Sequence, residues 1–167
     1  MWEKRTLWEN AARVPLVIRA PWLTEMAGKR SQELVELVDI YRTVLDLANV
    51  PLPTGDTYPI EGTSLAPLLG QAGPGWTPKV ALTMYPRCPP SLVPGKDWQG
   101  DSCIHSVERS EFAVMGLSMR VDAEFDSHSY RFTKWVAWNG TSLSPIWDDV
   151  HAVELYNHSE ARPAFAP

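Results

Sequence analysis

The apolar positions of the chain follow a helical spacing in its first half and a strand-like spacing in its second half. Apolar residues at positions 34, 35, 38, 41, 45 and 48 fall on one helical face, so this segment is predicted to be an amphipathic helix. Ser31 is placed to cap its start and Pro51 to stop it. A second, shorter helical segment is predicted from Ser64 to Gly70, because serine caps helices and glycine suits the left-handed residue that closes them.

Short apolar or alternating runs predict a series of strands. In chain order they are Val14–Ile18, Val80–Tyr85, Phe112–Val121, Tyr130–Trp138 and Ala152–Tyr156. The first run is continuously apolar, as in a strand that is buried on both faces. The connection formed by residues 122–129 is short, so the strands on either side of it are expected to form an antiparallel hairpin.

This hairpin is predicted to place two arginines opposite each other. If its loop is centred between Phe125 and Asp126, Arg120 pairs with Arg131. Two like charges directly across a sheet repel each other unless another group compensates them. The compensating group is either an acidic side chain, Asp122 or Asp126, or a bound carboxylate or sulfate, which arginine can hold through two parallel hydrogen bonds.

Composition limits the classes of partner. The formal net charge is -5, which gives no basic footprint for nucleic acid. No apolar run approaches the roughly 18 residues that a membrane-spanning helix needs. Eight tryptophans are present, and those at positions 135, 138 and 147 either pack a C-terminal sheet or stack on sugar rings.

Motifs for self-contained catalysis are missing from the sequence. Residues 148–151 (Asp-Asp-Val-His) have the side chains of metal ligands, but no second cluster accompanies them, and they are interpreted as a solvated loop. Neither a G-x-S-x-G nucleophile motif nor a glycine-rich phosphate loop occurs. Cys88 and Cys103 are compatible with one disulfide without requiring it, and N-x-S/T triplets at Asn139 and Asn157 favour the secretory route.

The first residues of the chain have the pattern of a domain interior. Residues 2–10 form a polar stretch that contains Lys4 and runs directly into the strand predicted at Val14–Ile18. The apolar core of a signal peptide is not found there. We therefore expect the chain to be the rear part of a larger enzyme, in which Lys4 is either a solvated surface lysine or a remnant of the active site.

Several collinear stretches carry a resemblance to a known family. They are Trp2-Glu3-Lys4, Arg13–Val17, Glu33–Asp39, Thr43–Ala48, Glu61–Leu69, Tyr85-Pro86-Arg87, Met115–Arg120, Tyr130–Val136 and His151–Tyr156. In these stretches the chain resembles the C-terminal portion of sulfatases. Within the sulfatases it is similar to the iduronate-2-sulfatase-like group, on the strength of Tyr85-Pro86-Arg87 and His151–Tyr156.

The resemblance implies an α/β fold of the alkaline-phosphatase type. Residues 1–78 are then expected to be the rear part of the sulfatase catalytic domain, and residues 79–167 a C-terminal subdomain whose small antiparallel sheet contains the hairpin. The implied nucleophile is a formylglycine, made from the cysteine of a C-x-P-x-R motif, beside a calcium ion. Residues 88–92 (Cys-Pro-Pro-Ser-Leu) imitate this motif, but Leu92 stands where arginine is required. Nucleophile and calcium ligands are therefore expected upstream of this chain, and no metal ligand within it.

The resemblance also implies roles for individual residues. Lys4 matches a family lysine that touches the sulfate, where a compact ammonium stabilises the charge that develops on the transferring group. Together with Lys4, Arg120 and Arg131 are candidates for substrate binding, because an iduronate substrate carries both a sulfate and a carboxylate.

The implied activity is the hydrolysis of a sulfate ester, the 2-O-sulfate of iduronate in a glycosaminoglycan-type sugar. Expected partners are a sulfated polysaccharide or oligosaccharide and the missing N-terminal part of the same enzyme, with no nucleic acid and no membrane span. The expected location is lysosomal or secreted, and periplasmic or extracellular in a bacterium. The alternatives are a sulfatase of other sugar specificity, a phosphodiesterase-like relative, or a catalytically inactive fragment that only binds sulfated polysaccharide.

Overall fold

The computed structural model describes residues 6–55, 59–70, 75–76, 80–87, 108–122 and 128–159. The regular elements in these ranges are, in chain order, helix α1 (Glu9–Ala12), helix α2 (Asp39–Leu47), a 3₁₀ turn (Ala66–Leu69), strand β1 (Ala81–Arg87), a second 3₁₀ turn (Arg109–Glu111), and strands β2 (Val114–Val121), β3 (Tyr130–Asn139) and β4 (Ser144–Asn157). The chain divides into two compact units, one of residues 15–81 and the other of residues 1–14 together with 82–167. The division of sulfatase domains between residues 78 and 79 stays a prediction.

Helix α2 begins later than the sequence predicts. The predicted start at Ser31 is wrong, because the helix begins at Asp39. The Ser31 hydroxyl does accept a hydrogen bond from the Glu33 N–H, at 3.2 Å, but this bond closes a local turn. The Glu33 carboxylate in turn accepts a hydrogen bond from the Trp76 indole, at 2.8 Å. Contacts distant in sequence therefore hold residues 31–38 outside the helix, although their apolar spacing matches it.

Asp39 fixes the start of α2 and joins it to a later loop. Its carboxylate is buried and accepts hydrogen bonds from the backbone N–H groups of Glu36 and Thr63, each at 2.8 Å. Thr43, one turn further on, donates to the Asp39 carbonyl at 2.7 Å and accepts from the Leu65 N–H at 2.9 Å. These bonds satisfy polar groups that would be costly to bury alone, and they attach the first 3₁₀ turn to α2.

The ends of both helical segments follow the sequence. Helix α2 ends at Leu47, and Asn49, with φ 52°, takes the left-handed conformation shortly before Pro51. The 3₁₀ turn closes on Gly70, whose φ of 82° carries no steric penalty for glycine. The short helical segment predicted between Ser64 and Gly70 is therefore present as a 3₁₀ turn, but its N-cap residue is Leu65 and not Ser64.

The strand predicted at Val14–Ile18 is not formed. The segment has no regular structure, and Val17 is 90% exposed. A strand requires a neighbour that pairs with its N–H and C=O groups, and no other described segment pairs with this one. Its apolar character therefore predicted a buried strand that the described structure does not contain.

The rear of the chain forms a four-stranded sheet in the order β1-β2-β3-β4. Strands β2 and β3 are antiparallel, as are β3 and β4. The predicted hairpin is confirmed, including the pairing of Arg120 with Arg131. Strand β4 begins at Ser144 rather than at Ala152, so residues 148–151 lie in a strand and the interpretation as a loop is wrong. The polar residues that hid this strand are tolerated because β4 is an edge strand.

Residues 6–12, which we call the covering segment, lie on one face of this sheet. Leu7, 1% exposed, lies against Gly116 of β2, and Gly116 pairs with Trp135 of β3. A Cβ atom at Gly116 would lie 2.5 Å from both Leu7 Cδ1 and Trp135 Cζ3. Glycine is therefore required at this position to let the Trp135 ring and the Leu7 side chain approach β2. The small antiparallel sheet expected of the C-terminal subdomain is thus present, whereas the alkaline-phosphatase-like α/β part stays a prediction.

Candidate functional site

Three of the residues singled out in the sequence lie outside the described residues. They are Lys4, the predicted sulfate-contacting lysine, and the two cysteines, Cys88 and Cys103. The predicted catalytic role of Lys4 and the pairing of the two cysteines therefore stay predictions. The geometry available for a site is that of the sheet and of the segment that covers it.

The two predicted substrate-binding arginines are buried on the covered face of the sheet. Arg120 is 8% exposed and Arg131 is 4% exposed. They lie directly opposite each other in the β2–β3 ladder, so both guanidinium groups point to the same face. Two neighbouring buried positive charges require strong compensation, because removal from water penalises each charge.

Glu9, at the start of α1, supplies most of this compensation. Its Oε2 accepts hydrogen bonds from Arg131 Nη2 at 2.7 Å and from Arg131 Nε at 3.2 Å. The same oxygen lies 3.5 Å from Arg120 Nε. One carboxylate oxygen thus bridges both arginines, and it comes from a residue far from the hairpin in sequence. We call Glu9, Arg120 and Arg131 the Glu9 cluster.

Further polar groups complete the surroundings of this cluster. Arg131 Nη1 donates to the Ser118 hydroxyl at 3.2 Å, and the Thr133 hydroxyl donates to Ser118 at 2.9 Å. Arg120 Nη1 donates to the carbonyl oxygen of Val121 at 2.6 Å and to that of Tyr130 at 3.2 Å. Each guanidinium is therefore held by several acceptors.

Asp122 makes a weaker contribution on the other side of Arg120. Its Oδ1 lies 3.9 Å from Arg120 Nη2 and accepts a hydrogen bond from the Ser129 hydroxyl at 2.5 Å. Ser129 in turn accepts a backbone hydrogen bond from His158 at 2.6 Å. The end of β4 is thereby joined to the hairpin beside the two arginines.

The protonation of the cluster reflects this environment. Burial raises the pKa of Glu9, but the hydrogen bond from Arg131 and the positive charges of Arg131, Arg120 and His158 outweigh it, so the pKa lies below its ordinary value of 4.5. Burial lowers the pKa of His158 below 6.5, and the two arginines lower it further, while Glu9 opposes them. The cluster therefore favours an ionised Glu9 and a neutral His158.

The geometry bears on the alternatives that the sequence left open. An acidic side chain does compensate the arginine pair, but it is mainly Glu9, with Asp122 at longer range, and Asp126 lies outside the described residues. The sequence missed Glu9 because no local spacing relates it to the hairpin. Its bridging position favours a structural role for Arg120 and Arg131, and their predicted contact with substrate stays a prediction.

Metal ligands are not brought together in the described ranges. Among these residues no group of three or more His, Cys, Asp or Glu side chains is arranged to hold a metal ion. Residues 148–151 lie along β4 with exposed side chains. The described part of the chain therefore does not fit a calcium ion. Its helices are also too short or too polar to cross a membrane.

The tryptophans of the sheet differ in their surroundings. Trp135 is half-buried, and its indole N–H donates to Glu154 Oε1 at 2.7 Å. Trp147 is 55% exposed, with Lys134 Nζ 5.5 Å from its ring centroid. Trp138 is half-buried. Packing in the sheet thus accounts for Trp135 and Trp138, whereas Trp147 is exposed on the edge strand.

Comparison with known proteins places this chain in a family. Residues 1–87, just over half of its 167 residues, match the family model described as N-sulphoglucosamine sulphohydrolase, C-terminal. The chain belongs to this sulfatase C-terminal family. The sulfatase resemblance of the sequence is thereby confirmed.

Individual sulfatases extend the match. The chain is 26% identical to iduronate 2-sulfatase of Mus musculus over an alignment of 193 residues, gaps included. This alignment covers 93% of the chain and 32% of that protein. The protein of the same name from Homo sapiens is 27% identical, with the same two shares. Arylsulfatase K of Homo sapiens is 42% identical over 65 residues, which cover 39% of this chain and 11% of that protein. The chain thus spans about a third of the length of the iduronate 2-sulfatases it matches.

Proposed function

We propose that this chain is the C-terminal part of a sulfuric ester hydrolase that removes the 2-O-sulfate of iduronate from glycosaminoglycan-type sugars. The observation that carries the proposal is the similarity to iduronate 2-sulfatase, which extends along 93% of the chain. A lysosomal or secreted location belongs to the same proposal and is supported by the N-x-S/T glycosylation triplets at Asn139 and Asn157.

The chain contributes only some of the groups that the reaction needs. Its sequence contains no C-x-P-x-R motif from which a formylglycine nucleophile is made. Nucleophile and calcium are therefore proposed to be held by residues outside it, and calcium would supply positive charge beside the sulfate. Lys4 is proposed to add an ammonium group that stabilises charge on the transferring sulfate.

The sheet is proposed to support the active site structurally, by anchoring the residues that follow Lys4. The Glu9 cluster joins the segment that follows Lys4 to β2 and β3 through Arg120 and Arg131. Glu9 follows Lys4 by five positions in the sequence, so the cluster is proposed to fix the described residues that come shortly after this lysine. Substrate contact by the two arginines themselves would require an anion to displace or join the Glu9 carboxylate.

A second specificity is favoured by one observation. The identity to arylsulfatase K, 42% over 65 residues, is higher than that to iduronate 2-sulfatase, although it covers less of the chain. A sulfatase of other sugar specificity is therefore the alternative function. A catalytically inactive fragment that only binds sulfated polysaccharide is the third reading.

Sulfate release from defined substrates tests the proposal. The enzyme assayed is a protein in which this chain follows a segment that carries the C-x-P-x-R motif, with 2-O-sulfated iduronate and N-sulfated glucosamine disaccharides as competing substrates. Preferential release from iduronate is expected, and the 167-residue chain alone should release none. Preference for another sulfated sugar would support the alternative specificity, and turnover by the chain alone would contradict the proposed division of groups.

The role of Lys4 requires a separate variant. Lys4→Ala in that longer protein should lower kcat/KM by about 10²–10³, the range seen when one group that stabilises transition-state charge is removed. Lys29→Ala is the matched control, since Lys29 is an exposed lysine of the 15–81 unit. Equal activity of the two variants would remove Lys4 from the proposed active site.

A further inference from the structure

A second group of side chains occupies the same sheet face as the Glu9 cluster. It consists of Trp8, Arg87, Trp135, Glu154 and Tyr156, and we call it the aromatic patch. Trp8 precedes α1, Arg87 ends β1, and the other three lie on β3 and β4. Trp8 is 49% exposed and Tyr156 is 39% exposed, so the patch is open to solvent where the Glu9 cluster is closed.

The carboxylate of this patch is held in a fixed position. Glu154 Oε1 accepts the Trp135 indole N–H at 2.7 Å, and Oε2 accepts the Tyr156 hydroxyl at 2.7 Å and the Trp8 indole N–H at 3.3 Å. A carboxylate has about four acceptor sites, so these donors leave room for a hydroxyl group from a ligand. All three donors belong to aromatic side chains, and this ties the ring positions to the carboxylate.

Arg87 supplies the positive charge of the patch. Its guanidinium carbon lies 5.2 Å from the ring centroid of Tyr85 and 5.2 Å from that of Trp135. Among the described residues, the guanidinium has these ring contacts and no ion-paired or hydrogen-bonded acceptor. Burial raises the pKa of Glu154, but the hydrogen bonds from the three aromatic side chains and, less strongly, the charge of Arg87 bring it below its ordinary value of 4.5. Stacking on rings leaves the edge of a guanidinium, with its fork of N–H donors, available to an anion.

The ligand class follows from this combination of groups. Exposed aromatic rings bind the apolar faces of sugar rings, the Glu154 carboxylate accepts sugar hydroxyls, and Arg87 binds a sulfate or a carboxylate. A neutral sugar would leave the arginine unused, and a simple anion would leave the rings unused. We infer that the aromatic patch binds an acidic sugar unit of a sulfated polysaccharide, with Arg87 on its anionic group and Trp8 on its ring. The inference deepens the proposed function and rests on it for the class of ligand.

This assignment places the anion on a different arginine from those selected in the sequence. Arg120 and Arg131 are nearly buried and share the Glu9 carboxylate, whereas Arg87 is half-buried and stacks on rings. An anion that approaches from solvent therefore reaches Arg87 without displacing a carboxylate. Substrate contact would accordingly be supplied by the aromatic patch.

Direct binding to the full 167-residue chain tests the inference. The probe is a heparin-derived tetrasaccharide, and neutral maltotetraose is the comparison ligand, with binding followed by calorimetry and by the fluorescence of exposed Trp8. Arg87→Ala should weaken tetrasaccharide binding by about tenfold, the effect of losing one charge-assisted contact, and the loss should shrink at high salt. Arg19→Ala, which removes an exposed arginine from the other unit, should leave binding unchanged.

Two further variants keep the inference open to contradiction. Arg87→Lys retains the charge without the planar fork and should bind with intermediate affinity, even if Arg87→Ala does not fold. Trp8→Phe should weaken binding less than Arg87→Ala and should abolish most of the fluorescence change. Equal affinity of Arg87→Ala and Arg19→Ala, equal affinity for maltotetraose, or no tetrasaccharide binding by the unchanged chain would each overturn the inference. Because no turnover is measured, failure here is distinct from failure of the proposed sulfatase activity.

Discussion

The Glu9 cluster and the aromatic patch are built from the same materials, yet they differ in what they leave available. Each combines a glutamate with arginine on one sheet face, and neighbouring residues of the covering segment, Trp8 and Glu9, belong one to each group. In the Glu9 cluster the carboxylate contacts the arginines directly, at 2.7 Å for Arg131. In the aromatic patch, aromatic side chains donate hydrogen bonds to the Glu154 carboxylate, and the Arg87 guanidinium lies over aromatic rings.

The difference teaches that burial and partner choice decide the role of an arginine. A buried guanidinium must find carboxylate or carbonyl acceptors, and once it has them its contribution is structural. A half-exposed guanidinium on an aromatic ring keeps its donors free for a ligand. The sequence suggested Arg120 and Arg131 as substrate-binding residues because they face each other across the hairpin. The same arrangement brings two positive charges together, and Glu9 compensates them.

The largest effect is expected from removing the charge of Glu9. Glu9→Gln leaves Arg120 and Arg131 without their shared anion, and it should lower the free energy of unfolding by about 3–5 kcal/mol, the cost of breaking a buried ion pair. A value near the lower end is expected because the Glu9 side chain is 26% exposed. Urea unfolding measures the loss, with Glu61→Gln as the control at an exposed position. Equal stability of the two variants would contradict a structural role for the cluster.

A smaller loss of stability is expected from a substitution at Gly116 of β2, which lies against Leu7 and Trp135. In Gly116→Ala the new methyl would lie 2.5 Å from Leu7 and Trp135 atoms, and overpacking of this kind costs about 1–3 kcal/mol. Displacement of Trp135 should also weaken tetrasaccharide binding by the aromatic patch. Gly75→Ala is the control, because a Cβ at Gly75 meets no atom within 4 Å. Thermal unfolding that leaves both variants alike would show that the close approach at β2 is not required.

The smallest effect is expected from the protonation of His158, which is the first step of acidification. The pKa of His158 is lowered from 6.5 and that of Glu9 from 4.5, so both groups bind protons less readily in the folded than in the unfolded chain. Their contributions to stability are therefore full above those ordinary values and are lost as pH falls through the lowered ones. Unfolding free energy should fall first below pH 6.5 and further below pH 4.5.

Two variants separate the acid steps. His158→Gln should flatten the first decrease, whereas His151→Gln, at an exposed position of β4, should leave it in place. Glu9→Gln should flatten the second. A stability profile of Glu9→Gln that keeps the full second decrease would assign that step to other carboxylates and would weaken the case for the Glu9 cluster.

The sequence was most informative where contacts are local. The hairpin register that sets Arg120 opposite Arg131 was predicted from loop length alone and is confirmed. The 3₁₀ turn closed by Gly70 was predicted from capping chemistry. The start of α2 was wrong because residues distant in sequence, such as Trp76, hold the segment before it. The first part of β4, residues 144–151, was not predicted because an edge strand tolerates polar residues, and these hide the strand pattern.

The sequence by itself determined the sulfatase family, the hairpin and its two facing arginines, because these depend on residue order and on contacts within one turn. Only the tertiary structure showed that Glu9 compensates those arginines and that Arg87 lies on aromatic rings beside Glu154. Both facts depend on how distant segments fold onto the sheet. The spacing of apolar residues along the sequence does not indicate which distant residues come into contact there. Burial then decides the roles of the arginines. The charges of Arg120 and Arg131 are removed from water and must be paired within the protein, whereas that of Arg87 remains near water and can be paired by a ligand.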